Sequence, residues 1–413
     1  MYSGRESSMT PPPSSPSASD STDGKCHQWR RISQMPVLAF PFRLFFLSAA
    51  FGGALLVPLW MFLLTQGGMD SLALAPLHWH QHEMLGGFLN AAIAGFLLTA
   101  VCNWTGTRPV DGGALLALWL LWLAGRLAMM FGGFWPILAS IVDLSFLPLL
   151  AWLAGTRIWH ARQYRQLILM GVLAACWVLD LLFHLSGSPH YLQALVVLAA
   201  VLILIIGGRI TPAFTRNWLQ ARGRDSAQVR TPSWATPVGL VLALAVAVLV
   251  ALNIHGALLG GLALAAAAMV LLRLFGWAPW QIRDEPLLWI LHLGHWWVVL
   301  GFVLLALAQW HWVAPTAWLH ALGAGAMGTT IMGVMTRVAM GHTGRTMALP
   351  TGGIVLYALV LLAGVLRVVT ALGWLPWGLG VGWSAGLWSL SFAGFLLLYW
   401  QVLTRSRVDG KPG

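Results

Sequence analysis

The chain has 413 residues, of which 59% are hydrophobic and only 8% are charged, and its mean hydropathy is +0.77. Soluble domains carry about 25% charged residues, so this composition excludes an aqueous enzyme and indicates a membrane protein. The chain also has 23 Lys and Arg against 12 Asp and Glu. The positions of these Lys and Arg residues decide between two explanations, a nucleic-acid-binding surface and the cytoplasmic loops of a membrane protein.

The chain begins with a polar segment and continues as a series of apolar runs. Residues 1–35 are rich in Ser and Pro, which predicts a disordered cytoplasmic tail. About 20 apolar residues are needed to span a bilayer, and we predict an all-α polytopic membrane protein with a domain of residues 36–405 and a short cytoplasmic tail at 406–413. The predicted transmembrane helices are twelve, at 44–64, 84–102, 114–131, 137–155, 167–185, 192–208, 237–253, 257–275, 287–308, 317–340, 352–370 and 384–403.

The Lys and Arg residues are concentrated in the loops on one side of the membrane. With the N-terminus inside, the inner segments and helix ends hold 21 of the 23 bases, and the outer loops hold none. Because cytoplasmic loops collect Lys and Arg, this split predicts that both termini are cytoplasmic. The orientation of the chain in the membrane then explains the excess of positive charge, and we expect no nucleic-acid partner. The longest internal polar connection, residues 209–236, divides the helices six plus six.

Four charged residues stand inside predicted helices at one depth, roughly 5–9 Å below the outer helix ends at 1.5 Å per residue: Arg126, Asp143, Asp180 and Arg367. Buried intramembrane charges are costly and are functional candidates. Arg126 and Asp143, on consecutive antiparallel helices, are expected to pair, either for function or only to lock two helices together. Asp180 and His184 are four residues apart and share a helix face. In the functional interpretation the carboxylate orients a metal-binding imidazole, and in the structural interpretation the two residues are a hydrogen-bonded polar pair.

The densest group of potential ligands is His78-Trp-His80-Gln-His82-Glu83 at the start of the second helix. An extended strand would place all three imidazoles on one side, whereas a helix aligns only His78 with His82. The functional interpretation is a metal site suited to copper, zinc or iron. The structural interpretation is a set of polar residues that cap an outer helix end.

Three further histidines lie on the ninth and tenth helices. His292 and His295 share one helix face, and a buried neutral imidazole can be an axial ligand of haem iron. Hydrogen-bonded packing explains this pair equally well. His320 opens the tenth helix from the outer side. The inner ends of helices 2, 6 and 10 share a Gly/Thr/Arg-rich composition, which indicates either three four-helix units around a common axis or chance similarity.

Several blocks between about residue 36 and the last helix form a further pattern. They include Ala39-Phe-Pro-Phe-Arg-Leu-Phe-Phe-Leu, Trp79-His-Gln-His-Glu-Met-Leu-Gly-Gly-Phe, Gly95-Phe-Leu-Leu-Thr-Ala-Val-Cys-Asn-Trp-Thr-Gly, Gly207-Gly-Arg-Ile-Thr-Pro-Ala-Phe-Thr, His320-Ala-Leu-Gly-Ala-Gly-Ala-Met-Gly-Thr and Met335-Thr-Arg-Val-Ala-Met-Gly-His-Thr-Gly-Arg. Together these blocks resemble the NnrS family. The resemblance implies a bacterial inner-membrane protein of twelve helices. It further implies haem and copper as cofactors, and a role in the nitric oxide response and resistance to nitrosative stress, often near denitrification functions.

The resemblance also marks site residues, namely His80, His82, Glu83, Arg209, His320, Arg337, His342 and Arg345. His292 falls in a further matching block, where His295 replaces the Tyr of the family. Together with the residue analysis, this gives His78, His80, His82 and His184 as metal candidates, and His292, His320, Arg126 and Arg367 as cofactor-binding candidates.

In the most specific mechanism, His80, His82 and His320 help to bind metal, while Arg126 and Arg367 neutralise haem propionates by charge-assisted hydrogen bonds. Nitric oxide would reach the site through the lipid. The residues assign no reaction, although a haem/copper redox reaction with nitric oxide is compatible with them. The alternatives are a transporter of a metal, haem or small metabolite, and a sensor or assembly factor without turnover.

Overall fold

The computed structural model describes residues 35–66 and 71–411, so the predicted tail, apart from Met35, lies outside the described residues. All regular structure in the described ranges is helical, which confirms the all-α prediction. Twelve helices follow in chain order: α1 Pro41–Gln66, α2 Pro76–Thr105, α3 Gly112–Phe131, α4 Pro136–His160, α5 Tyr164–Ser186, α6 Pro189–Ala221, α7 Ala235–Ala251, α8 Ala257–Gly276, α9 Pro286–Gln309, α10 317–342, α11 Gly353–Ala371 and α12 Trp377–Thr404.

Length and composition identify these helices as membrane spans. Within the described ranges, ten helices are long and apolar enough to cross a bilayer. The other two are α7, which has 17 residues, and α10, in which a π-helical segment separates two α-helical pieces. Each of the twelve predicted apolar runs coincides with one helix, which confirms a polytopic membrane protein.

Helix α6 differs from its prediction, because it continues well past residue 208 to Ala221. The polar connection after it is therefore shorter than the predicted 209–236. The extra turns still pack on protein, since Trp218 and Leu219 are buried. Inside this stretch the buried Thr215 donates its hydroxyl proton to the carbonyl of Thr211 at 2.9 Å, so its polar group is satisfied within the helix.

Proline and glycine mark many of the helix ends. The backbone N–H groups of the first helical turn have no partner within the helix, so proline, which has no N–H, is well tolerated there. Five helices begin at a proline, namely Pro41, Pro76, Pro136, Pro189 and Pro286. At the other end, Gly106 and Gly187 follow α2 and α5 with φ values of 67° and 70°. This left-handed conformation closes a helix and favours glycine.

Helices α2 and α6 lie at the centre of the bundle. In their most apolar stretches 78% and 72% of the residues are buried, against 28% in α3. Large apolar side chains of peripheral helices, such as Leu397 and Ile137, are exposed, as expected for surfaces that face lipid tails. Two of the three helices whose inner ends share a Gly/Thr/Arg-rich composition are thus central, and the arrangement in three four-helix units stays a prediction.

Among the described residues two helices contain a π-helical segment, and each segment begins directly after a histidine. In α2 the segment Glu83–Leu89 follows His82, and in α10 the segment Ala321–Met327 follows His320. A π-turn inserts an extra residue into a helix and is frequent at functional sites. The N-terminal halves of α2 and α10 therefore share a local distortion.

The predicted orientation can be tested by thiol labelling in intact cells. In a chain whose native cysteines are replaced, Ile254→Cys in the α7–α8 connection should react with a membrane-impermeant maleimide. Ala227→Cys in the α6–α7 connection should react only after permeabilisation. Both positions are exposed, so accessibility to the reagent depends on the side of the membrane. The reverse labelling pattern would contradict cytoplasmic termini.

Candidate functional site

The first site lies between α2, α3, α4 and α5, and its side chains are at most 12% exposed. We call it the carboxylate–histidine cluster. It consists of His82, Glu83, Arg126, Asp143, Asp180 and His184. Four helices contribute to it, so residues far apart in the chain meet at the predicted depth.

Arg126 is held by two carboxylates. It forms ion pairs with Asp143, as predicted, and with Glu83 Oε1 at 2.9 Å. Two glycines of the π-helical segment make room for it, because a Cβ on Gly86 would lie 2.9 Å from Arg126 Nη1 and one on Gly87 would lie 3.0 Å from Glu83 Oε2. The local distortion of α2 therefore allows the guanidinium to approach the helix backbone.

A break in α4 accompanies the position of Asp143. The helix is regular over Pro136–Leu144, turns at Ser145 and resumes at Phe146. Pro148 has no N–H with which to bond the Leu144 carbonyl. Trp177 Nε1 of α5 donates to that carbonyl at 2.9 Å instead. This hydrogen bond ties α4 to α5 next to the cluster.

Two imidazole nitrogens and two carboxylate oxygens converge in the cluster. His82 Nε2 lies 3.1 Å from Asp143 Oδ2 and 3.3 Å from Asp180 Oδ1. His184 Nε2 lies 3.6 Å and 3.8 Å from the same two oxygens. All four atoms are within 4.8 Å of one another. Ligands about 2 Å from a shared metal ion lie roughly 3.3 Å apart, so the group has the dimensions of a metal site.

Ser140 orients one of these imidazoles, and the sequence analysis missed it. Its hydroxyl donates to the Pro136 carbonyl at 2.8 Å and lies 3.0 Å from His184 Nδ1. Because its single proton is already donated, the hydroxyl accepts from His184 Nδ1–H. The position of Ser140, three residues before Asp143 on one helix face, was the available signal.

The second site is a cavity of about 340 Å³ lined by α1, α2, α6, α10, α11 and α12. We call it the histidine–arginine cavity, after His80, His320 and Arg367. Its walls are otherwise mostly apolar and aromatic and include Trp60 and Trp388. No acidic side chain is found among the described residues that line it.

The two histidines and the arginine of the cavity have no hydrogen-bond or ion-pair partner in the described part of the chain. His80 stacks on Trp60 with ring centroids 4.2 Å apart, and its buried Nδ1 has no hydrogen bond there. Within the same ranges no hydrogen bond or ion pair involves His320 or Arg367. A guanidinium without a counter-charge inside a membrane protein marks a site for an acidic ligand.

The histidine motif of α2 is helical and divides between the two sites. Since each residue of a helix turns by about 100°, His80 points roughly 200° away from His82. His78 packs on Phe183, with ring centroids 5.7 Å apart, on the same side as His82 but outside the metal-sized group. The helical alternative is therefore correct, and an extended arrangement with three converging imidazoles is wrong.

This separation also corrects the combined mechanism. His82 lies in the carboxylate–histidine cluster, whereas His80 and His320 line the cavity, so the three do not share one metal. Arg126 and Arg367 are likewise in different sites. Arg126 already pairs with two carboxylates, and only Arg367 faces a cavity that could accommodate a propionate.

His292 and His295 form a third buried group, around Trp277. Their Nδ1 atoms donate to the carbonyls of Leu288 and Leu291 at 3.1 Å and 2.8 Å. Their Nε2 atoms have no hydrogen bond in the described ranges. This leaves the lone pairs of both Nε2 atoms available, but the two residues do not line the histidine–arginine cavity, and a haem role of His292 stays a prediction.

The remaining residues marked by the family resemblance do not join either outer site. They are Arg209, Arg337, His342 and Arg345. Arg337 lies over the Phe214 ring at 4.1 Å, and the His342 ring lies 5.6 Å from Phe42. Arg209 donates to Gln166 Oε1 at 2.5 Å. Because His342 ends α10 and His320 lies near its start, the two are at opposite ends of one helix.

Removing Arg126 should destabilise the protein strongly. Arg126→Met leaves two buried carboxylates without their cation, a change that costs about 3–5 kcal/mol. We expect a large drop in the thermal unfolding midpoint in detergent, and a smaller one in the double variant Arg126→Met/Glu83→Gln. Asp409→Asn, which removes a solvent-accessible ion pair with Arg407, should change the unfolding midpoint only slightly, because ion pairs in water contribute little to stability. Equal effects of Arg126→Met and Asp409→Asn would contradict the structural role of Arg126.

Comparison with known proteins agrees with the sequence blocks and the fold. Among curated proteins, none matches the chain. A sequence model of the NnrS protein family matches residues 36–407. The matched range contains all twelve helices and both outer sites. The chain therefore belongs to the NnrS family.

Proposed function

We propose that the protein is a haem- and copper-associated protein of the bacterial inner membrane that protects against nitric oxide. Membership of the NnrS family supports a membrane protein associated with the nitric oxide response in general. The observation that carries the more specific proposal is the histidine–arginine cavity. There, His80 and His320 face the same space as Arg367, which has no acidic partner among the described residues.

The residues of the cavity fit haem. Imidazole is a common axial ligand of haem iron, and His80 and His320 bring imidazoles from two different helices. Arg367 supplies the positive charge that a haem propionate requires for a charge-assisted hydrogen bond. The aromatic side chains Trp60 and Trp388 provide apolar surface for a macrocycle. When bound, the haem would supply an iron centre for nitric oxide.

The residues of the cavity wall would hold the ligands in place and exclude water. The stacked Trp60 ring restricts rotation of His80, because the two rings are nearly parallel at 18°. Apolar side chains such as Leu319 and Val381 cover other parts of the wall. Nitric oxide is small and uncharged, so it would enter through the lipid and needs no polar channel.

Copper is the second cofactor of the proposal. Because His80 and His320 are assigned to haem, the nitrogen donors for copper are assigned to residues outside the cavity. His82 and His184 supply two imidazoles in the carboxylate–histidine cluster, and imidazole is a good ligand for copper. His82 lies two residues after His80 on α2. The proposed haem and metal sites would thus lie on opposite sides of one helix.

The haem assignment predicts a spectroscopic loss in variants of the cavity. His80→Ala and His320→Ala should each reduce the haem absorbance of purified protein, and the double variant should abolish it. Arg367→Gln should lower the haem content but leave the residual spectrum unchanged, because it removes a propionate partner and no axial ligand. The measurement is a reduced-minus-oxidised optical spectrum with haem quantification per folded chain.

The exposed residue His255 provides a matched control, because its imidazole lies outside both sites and hydrogen-bonds to the neighbouring Asn253 at 3.0 Å. His255→Ala should keep the full spectrum. Unchanged haem absorbance in a folded His80/His320 double variant would contradict the assignment. In cells, the double variant should also lose protection against a nitric oxide donor, and protection that persists without haem would contradict the proposed role.

A further inference from the structure

The carboxylate–histidine cluster carries more negative charge than Arg126 balances. Glu83, Asp143 and Asp180 contribute three carboxylates, against one guanidinium. With neutral imidazoles, two negative charges remain at a site that is almost fully buried. Uncompensated charge is very costly inside a membrane protein, and a cation with two positive charges would balance the cluster while both imidazoles stay neutral.

The orientation of His184 also favours a cation at this point. When Ser140 Oγ donates to the Pro136 carbonyl, it accepts from His184 Nδ1–H, and the neutral ring then directs the bare lone pair of Nε2 toward Asp143 and Asp180. A lone pair facing carboxylate oxygens at 3.6 Å and 3.8 Å is repulsive unless a positive species lies between them. Neither His184 Nε2 nor Asp180 Oδ1 has a hydrogen bond in the described residues.

Asp143 is placed to bind a metal ion through only one of its two carboxylate oxygens. Its Oδ1 pairs with Arg126, while its Oδ2 faces His82 Nε2 at 3.1 Å. Glu83 Oε1 bridges Arg126 and His82 Nδ1 at 2.9 Å and 3.3 Å. Partners of this kind fix the orientation and the tautomer of metal ligands. Arg126 and Glu83 thus position the ligands and do not bind the metal themselves.

We propose that His82, Asp143, Asp180 and His184 bind one divalent metal ion of the Zn(II), Fe(II) or Cu(II) class. Two imidazoles and two carboxylates form a nitrogen and oxygen donor set, which suits these borderline ions. Copper(I) is disfavoured, since it selects sulfur donors and its single charge leaves one carboxylate uncompensated. The inference deepens the proposed function, because it defines the charge and class of the metal beside the proposed haem.

The test is metal binding by the purified full-length protein in detergent. Elemental analysis should find one divalent ion per chain, and after treatment with a chelator the protein should rebind Zn(II) with one-to-one stoichiometry. His82→Ala/His184→Ala should abolish this binding. Asp180→Asn should weaken it by 100-fold or more, because it removes both a ligand and a negative charge. Ser140→Ala should weaken it by about 10- to 100-fold through loss of the orienting hydrogen bond.

Two controls separate this inference from failure of folding and from failure of the haem assignment. Asp409→Asn, which removes a carboxylate outside the cluster, should leave Zn(II) binding unchanged. Asp180 has no ion pair with an arginine in the described ranges, so Asp180→Asn should fold even where an Asp143 variant does not. Haem absorbance should persist in the Asp180 and Ser140 variants whether or not the metal binds.

Three results would overturn the inference. One is purified protein that contains no divalent ion and does not bind Zn(II), since protonated histidines would then balance the charge. Another is Zn(II) binding that survives in the His82→Ala/His184→Ala variant. The third is stoichiometric binding of copper(I) with no binding of any divalent ion.

Discussion

The outer half of the bundle is organised around the cost of burying Arg126 inside a membrane protein. A guanidinium at this depth must be paired, and the chain supplies Glu83 from α2 and Asp143 from α4. Local features of both helices accompany the pairing. In α2, Gly86 and Gly87 of the π-helical segment leave space for the side chain, and in α4 the helix breaks just after Asp143. Two carboxylates for one arginine then leave an excess of negative charge, which defines the chemistry of the cluster.

Helix α2 contributes to both outer sites because its histidine motif is helical. His80 points into the cavity and His82 into the cluster, so the helix separates two groups of opposite character. The π-helical segments that follow His82 in α2 and His320 in α10 place the same backbone distortion directly after a histidine of each site.

The sequence predicts the features of this structure that depend on the length of the apolar runs and on the depth of charged residues within the helices. The helix number follows from hydrophobic runs, and the pairing of Arg126 with Asp143 follows from two charges at one depth on consecutive helices. The partition of the histidines does not follow, because the same motif is compatible with a strand, and its helical state depends on tertiary packing. The same holds for the continuation of α6 to Ala221, since Trp218 is buried by other parts of the fold. Ser140 shares a helix face with Asp143, but this position becomes informative only when His184 of another helix is known to pack there.

The two outer sites have opposite unbalanced charge, and this difference determines what each can bind. The cluster has two surplus carboxylates, whereas Arg367 in the cavity has no acidic partner in the described residues. Arg367 does not compensate the cluster, because no ion pair joins it to any of the three carboxylates. Each site therefore needs its own ligand of opposite charge, a cation in the cluster and an acidic group in the cavity. Since an unpaired charge in low dielectric is costly, loss of either ligand should destabilise the surrounding helices, so that the occupancy of both sites contributes to the stability of the bundle.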